Sequence, residues 1–367
     1  MAAPPLRLIH VDTAMEHRGG QRQLLLLALG LAARGHAQAV CCPVTSPLWS
    51  ALRGFDAPPT PLGAPLLPGV IHLIPSHEGN HPGGAPLCWR LRRAYPDAVP
   101  IAHTPHTHDH WVASGARPVV HRRVDFVPSA DPFTRLKWSR AARCVCVSEA
   151  VAKVMIRWGL PADRVTVVFD GVSPLCAAEP VEASGAFDED ASPTSAPPLA
   201  LGEGPLVLAV GALVAHKDHE TLIRAAQGLD AQVCIAGEGP LRPQLEGRGV
   251  RLLGQRPDVA ALLARATVFV HPSREEGMGQ AVIEAMLAGV PVVATAAGGV
   301  PEVVAEHGLL VPPGDPDALR AAIQRALAGD HPDVEAARAW AARRFSVEAM
   351  VEGTEAAYRD ACGPVAR

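Results

Sequence analysis

The chain has 367 residues, 48% of them apolar, with 33 lysines and arginines against 37 aspartates and glutamates. That length exceeds one comfortable core and predicts two domains. The near-balanced charge excludes a protein that binds nucleic acid over its whole surface, and the longest apolar run, residues 24–33, covers only about half a membrane span.

Residues 6–11 predict a first strand, Gly19-Gly20 a glycine turn, residues 21–34 a helix, and residues 37–42 a second strand. Further strands are expected at 70–74, 99–103, 118–121 and 143–147, and Ser148 is placed to cap a helix running through Trp158. From 173 to 204 the pattern gives way to Pro, Ala, Ser and acids, including Asp188-Glu189-Asp190, and reads as a linker of solvated charge. Alternation resumes with strands at 206–210, 232–236, 250–253, 268–271 and 291–294. Helices are expected at 219–226, 259–265 and 280–288, and one opens at Asp315-Pro316 and runs to Leu327. The domain plan is therefore 1–172, a linker at 173–204, 205–345, and a final helical segment at 346–367. Such alternation implies an α/β fold of two Rossmann-like domains, with a ligand crevice between the carboxyl ends of their strands.

The eight cysteines contain no Cys-x-x-Cys pair. Cys41-Cys42 and Cys144-x-Cys146 lie in apolar stretches and read as buried thiols, which suits a reducing compartment. The first strand begins without the charged and apolar regions of a signal peptide. A cytoplasmic location is expected, with association at the inner membrane face left open. Seven lysines and arginines against two aspartates between Arg117 and Arg143 suit a membrane surface, an anionic acceptor or a solvated basic face equally. His103, His106, His108 and His110 invite a metal site, but this spacing without a carboxylate cluster is a poor zinc framework, and no metal is expected.

The densest chemical signal runs from Val268 to Ala294, where a buried strand delivers a glycine-containing loop to a helix start. Gly277 and Gly279 let backbone approach a ligand closely. The amides of Met278, Gly279 and Gln280 can then face an anion at the positive helix end. Glu276 on the loop suits a sugar hydroxyl, and Glu284 on the helix suits a ribose diol. As alternatives, the first is an ordinary acid near a helix start and the second a solvated helix residue.

This run resembles the donor-site motif of retaining glycosyltransferases of family four, which carry two glutamates separated by seven residues. Glu276 and Glu284 have that spacing, inside Pro272-Ser273-x-x-Glu276-Gly277 and Glu284-Ala285-Met286 framing. Blocks around Gly211 to Lys217, Ala236-Gly237-Glu238-Gly239-Pro240, Gly254 to Val259 and Gly298 to Glu302 extend the resemblance. It implies a GT-B type enzyme that moves a sugar from a nucleotide-diphosphate donor, with retention of configuration, to a glycan, lipid-linked or small-molecule acceptor. No cofactor and no nucleic-acid partner are implied. Lys217 matches the family lysine that binds the donor diphosphate and stabilises the leaving group. Gly211 and Gly237 fall in the same donor-binding blocks, and the last helix is expected to return to the N-terminal domain. One departure is that Ala212 stands where the family has an arginine, so Arg256 or Arg274 is a candidate replacement.

In the N-terminal half the resemblance is looser. Gly19-Gly20 matches a glycine turn that approaches the donor phosphates and acceptor, and His121 falls near the family's active-site histidine. No side chain suits a covalent nucleophile. The rivals are a same-fold nucleotide-sugar epimerase or hydrolase, separable by product analysis, and a non-catalytic sugar-nucleotide binding protein, separable by a transfer assay. A nicotinamide dehydrogenase is disfavoured, since no Gly-x-Gly-x-x-Gly follows a strand.

Overall fold

A computed structural model describes residues 3–15, 19–76, 83–172 and 201–362. Most of the linker, with Asp188-Glu189-Asp190, lies outside them. The described residues cluster into two units: one runs to Gly171 and takes in the chain from Val347 onward, and the other runs from Val172 to Ser346.

The first unit has seven parallel strands: β1 Arg7–Val11, β2 Ala37–Cys42, β3 Ile71–Pro75, β4 Val99–Ala102, β5 Val119–Arg122, β6 Arg143–Cys146 and β7 Val165–Val167. Their order is β3-β2-β1-β4-β5-β6-β7. Every residue of β2 is buried, as expected for a parallel strand covered on both faces. The second unit has six: β8 Leu206–Val210, β9 Gln232–Ala236, β10 Arg251–Gly254, β11 Val268–His271, β12 Val292–Thr295 and β13 Leu309–Val311, in the order β10-β9-β8-β11-β12-β13. Both units are Rossmann-like, as the alternation predicts. In each, strand order reverses after the first strand, so the ligand-binding switch point lies at the carboxyl ends of β1 and β4, and of β8 and β11.

Local chemistry explains the helix boundaries. Ser148 Oγ accepts from Val151 N at 3.2 Å and starts Glu149–Trp158. Asp315 caps Pro316–Leu327 with the proline in the first turn. One expectation changes, and one further helix appears. Gly19 and Gly20 form the first turn of the helix Gly19–Ala33 rather than a turn before it. The histidine-rich segment after β4 is the helix Pro105–Ala113, opened by a capping box between Thr104 and Thr107. The final helix, Val347–Ala361, buries Met350, Val351, Ala357 and Tyr358 in the same cluster as Leu8, Leu27 and Leu31 of the first unit. Side chains of the size of Met350 and Val351 contribute about 1.5–3 kcal/mol each when fully buried. Among the described residues no helix is long and apolar enough to cross a membrane.

Candidate functional site

In the second unit the segment after β8 turns through a short 3-10 helix, Ala215–Lys217. Asp218 then adopts a left-handed backbone (φ 45°) and caps the helix His219–Ala226, its carboxylate accepting from Thr221 Oγ1 at 2.7 Å. Lys217 is thereby held at the switch point. Across it, the loop after β11 carries Glu276, and the Lys217 ammonium donates to Glu276 Oε2. His271, the last residue of β11, donates from Nε2 to the same carboxylate oxygen at 2.9 Å, and Ser273 Oγ lies 3.0 Å from that nitrogen. Thr295 Oγ1 donates to Ser273 O, tying the loop to β12.

These contacts set the electrostatics. Burial alone would raise the Glu276 carboxyl, but the His271 hydrogen bond and the Lys217 charge hold it at about 2. Burial lowers His271, opposed by its bond to Glu276 and reinforced by Lys217, so the ring is neutral near pH 7. The group is a carboxylate with the Lys217 ammonium beside it.

The Glu276 backbone is anchored as well, its carbonyl accepting from Gly299 N at 3.0 Å. Gly279 is left-handed (φ 92°) and starts the helix Gln280–Leu287 with no side-chain cap. That end carries the positive pole of the helix. Glu284 lies one turn along the same helix, half-buried.

Beside this loop, a cavity of about 260 Å³ is lined by Gly211, Ala212, Gly237, Gln255, Arg256 and Val259, among others. Gly237 is needed there, because any Cβ would lie 2.0 Å from Gly211 O and its φ is 152°. The two arginines proposed to replace the missing cation at Ala212 both hold carboxylates. Arg256 makes two bonds to Asp258, at 2.7 and 2.6 Å. Arg274 pairs with Asp218 at 2.7 Å, and its backbone N–H donates to His216 O. The sequence motif assigns no role to His271, Ser273 or Asp218. A histidine ending the otherwise apolar Val268-Phe269-Val270-His271 strand was the available signal.

In the first unit, His121 lies within β5 and shares its surroundings with residues that sequence alone does not group. His10 Nδ1 and His103 Nε2 are 3.0 Å apart. The His103 and His121 rings stack with centroids 4.7 Å apart, and His121 Nε2 lies 2.7 Å from the Tyr358 hydroxyl of the last helix. Burial, the neighbouring histidines and Arg123 hold His103 and His121 well below the usual imidazole range. Burial holds His10 at about 3. All three are neutral at pH 7. His108 and His110 turn elsewhere: His108 meets the Trp138 edge at 4.8 Å, and His110 fills the space that a Cβ on Gly84 would need. Among the described residues no group of three or more His, Cys, Asp or Glu is arranged to hold a metal ion.

Comparison with known proteins matches both halves of the chain. Residues 17–174 match the family described as Glycosyltransferase Family 4, and residues 204–329 match that described as Glycosyl transferases group 1. Sulfoquinovosyl transferase SQD2 of Arabidopsis thaliana is 37% identical over 125 residues, 31% of this chain and 24% of that protein. O-antigen chain mannosyltransferase B of Escherichia coli is 41% identical over 114 residues, 30% of each chain. The chain thus spans about a quarter to a third of the length of these curated relatives. In fold it is similar to the crystal structure of Anabaena Alr3699/HepE in complex with UDP and glucose, with a TM-score of 0.72 and 19% identity over 97% of this chain and 100% of that one. With its two halves matched in order over well more than half its length, the chain belongs to glycosyltransferase family 4.

Proposed function

We propose that the protein transfers a glycosyl group from a nucleoside diphosphate sugar to an acceptor hydroxyl with retention of anomeric configuration. The observation that carries this reading is the Lys217–Glu276 pair standing at the switch point beside the helix end at Gly279. A diphosphate there meets a lysine and a helix pole, both positive before the ligand arrives, as stabilisation of a departing phosphate requires. The neighbouring cavity, lined by Gly211, Ala212 and Gly237 together with Glu238, Gln255 and Arg256, suits the nucleoside. Glu284 takes the ribose diol and Glu276 the sugar hydroxyls.

In the reaction the bond between the anomeric carbon and the diphosphate oxygen breaks, and its electron pair leaves on the phosphate. The acceptor oxygen bonds to that carbon on the same face, and its proton passes to the departing phosphate. The first unit presents the acceptor near His121. No metal is needed, because Lys217 and the helix end supply the positive charge.

The test is a thermal-shift titration with UDP and with GDP, with and without chelator, followed by transfer assays with sugar donors. A bound diphosphate stabilises only the folded state, so the melting temperature rises with its concentration. No stabilisation by either diphosphate overturns the reading, and stabilisation abolished by chelator overturns its metal-free part.

A further inference from the structure

Two donors of unlike kind meet on one oxygen of Glu276, and they are mounted differently. Lys217 ends the short turn Ala215–Lys217 and reaches Oε2 through a long, rotatable side chain. His271 ends β11, a strand buried along its whole length, with its backbone in register with Ala294 of β12. Its side chain is 3% exposed, and its ring lies within 16° of parallel to that of Phe269 on the same strand. The ammonium can swing to a new partner, whereas the imidazole is packed in one place.

An imidazole at the end of Val268-Phe269-Val270 costs free energy unless its polar nitrogens are engaged. Here Nε2 stands 2.9 Å from a carboxylate oxygen, so it carries the ring proton and donates. The Ser273 hydroxyl, itself buried, lies 3.0 Å from the same nitrogen, and that residue is tied to β12 through Thr295. If neutralising Glu276 were the only requirement, Lys217 would meet it. In the transfer reading, however, a diphosphate at the Gly279 helix end draws that ammonium away, and His271 is a donor that stays.

We propose that His271 is a positioning residue for transfer, keeping the Glu276 carboxylate aimed at the donor sugar while Lys217 turns to the diphosphate. The inference rests on the transfer reading. Lys217 from the turn after β8 and His271 from β11 face Glu276. His219, held at about 4 by burial, faces His271 from the helix that follows Lys217. Burial raises the Glu276 carboxyl, and the His271 hydrogen bond is the strongest influence opposing it. Without that bond the carboxyl protonates at a higher pH, and a protonated carboxyl is a poorer acceptor for a sugar hydroxyl.

Turnover with the sugar donor that wild type uses is measured from pH 6 to pH 8 for wild type, His271→Phe and His271→Gln. Titration calorimetry with UDP and GDP runs beside it. Phenylalanine keeps a ring in the core and removes the donor, while the glutamine amide places an N–H near the position of Nε2. His271→Phe is expected to lower kcat by about tenfold to a hundredfold, the cost of a misplaced contact at a reacting centre. Diphosphate affinity should stay within about twofold of wild type, because Lys217 and the helix end at Gly279 remain. The ratio of variant to wild-type kcat should fall as pH drops from 8 to 6, since Glu276 then protonates in the variant alone. His271→Gln should recover most of kcat and flatten that ratio. A side chain that only fills the core shows neither the pH dependence nor the rescue. Should His271→Phe not fold, His271→Asn, whose amide stops short of Glu276, takes its place. Wild-type kcat in the folded variant overturns the inference, as does a ratio constant with pH or a glutamine variant no better than phenylalanine. A wild type that binds diphosphate and transfers from no sugar donor ends the transfer reading and this inference with it. Transfer that survives the loss of His271 ends this inference alone.

Discussion

At the carboxyl ends of β1, β4 and β5, the N-terminal unit gathers three histidines and a tyrosine, all neutral at pH 7. At the corresponding ends of β8 and β11, the C-terminal unit holds a lysine and a glutamate as opposite charges. One strand order thus supports two electrostatic solutions. A site for a diphosphate gains from positive charge installed before binding, whereas the histidine group, held neutral by burial, carries none. The difference extends to stability and supplies the largest expected effect.

In the N-terminal unit His10, His36, His72, His103, His108, His110 and His121 are all lowered, burial being the main cause in each. In the C-terminal unit only His219 and His271 are lowered among the described residues. A lowered imidazole refuses protons that the unfolded chain accepts below about 6.5, so stability is full above that pH and falls as acid is added. His10 and His108, both at about 3, together remove on the order of 5 kcal/mol by pH 4. Glu276, held at about 2, weakens the other unit only as pH falls from its ordinary carboxylate value toward 2. The N-terminal unit should therefore unfold first in acid. Five of the six tryptophans lie in it, Trp340 being the exception, so the two units can be followed separately. Urea unfolding at pH 7.0, 5.5 and 4.5 should show the fluorescence transition moving ahead of the circular-dichroism transition. Coincident transitions at every pH would refute unequal acid sensitivity.

Next in size is Lys217→Ala. It should lower transfer by roughly two to three orders of magnitude, the range for loss of one electrostatic stabiliser. Sequence alone gives Lys217 no packing role. The ion pair changes that, because removing the lysine takes a cation from beside the Glu276 carboxylate, which is only 15% exposed. A stability loss of about 1–3 kcal/mol should accompany the kinetic loss. Full activity in the folded variant would transfer the role to Arg256 or Arg274.

What the sequence disclosed and what it hid divide along the same physical line. Caps at Ser148 and Asp315 and the glycine loop at Gly277 to Gly279 are local, with cause and consequence a few residues apart. The helix Pro105–Ala113 has equally local signals, a Thr104 cap, a first-turn proline and Thr107 three residues on. The histidine group was out of reach. His10 and His103 are 93 residues apart, and His121 and Tyr358 are 237 apart, so only sheet order and the returning last helix bring them together. Lys217 and Glu276 were each legible from the family motif, but their pairing across 59 residues was not.

That pairing sharpens the division of labour between the two glutamates. If Glu284 holds the ribose, Glu284→Gln keeps the shape, loses a charge-assisted acceptor, and weakens diphosphate binding by about 1.5–3 kcal/mol. Glu276→Gln should lower transfer while leaving diphosphate affinity unchanged or slightly tighter, since Lys217 loses its internal partner. Isothermal titration with diphosphate beside turnover with sugar donor reads both. Equal losses of diphosphate affinity would end the division while leaving one shared site.

The smallest effect tests the neutral side of the comparison. Tyr358 is fully buried, and burial pushes its hydroxyl well above the usual range, so it stays protonated and shares one hydrogen bond with His121 Nε2. Tyr358→Phe keeps the ring in the core and removes only that bond. The N-terminal unit should lose about 1–2 kcal/mol, because a buried imidazole nitrogen loses its partner. If His121 handles the acceptor, freeing its ring should also lower kcat severalfold and change the pH profile of transfer. Diphosphate affinity should not move, since Lys217, Glu276 and Glu284 all lie in the other unit. His121→Ala supplies the reference, and the tyrosine variant should reproduce part of its kinetic loss. A Tyr358→Phe protein that is less stable yet keeps kcat and its pH profile would make the tyrosine a tie between the last helix and β5, with no part in orienting His121.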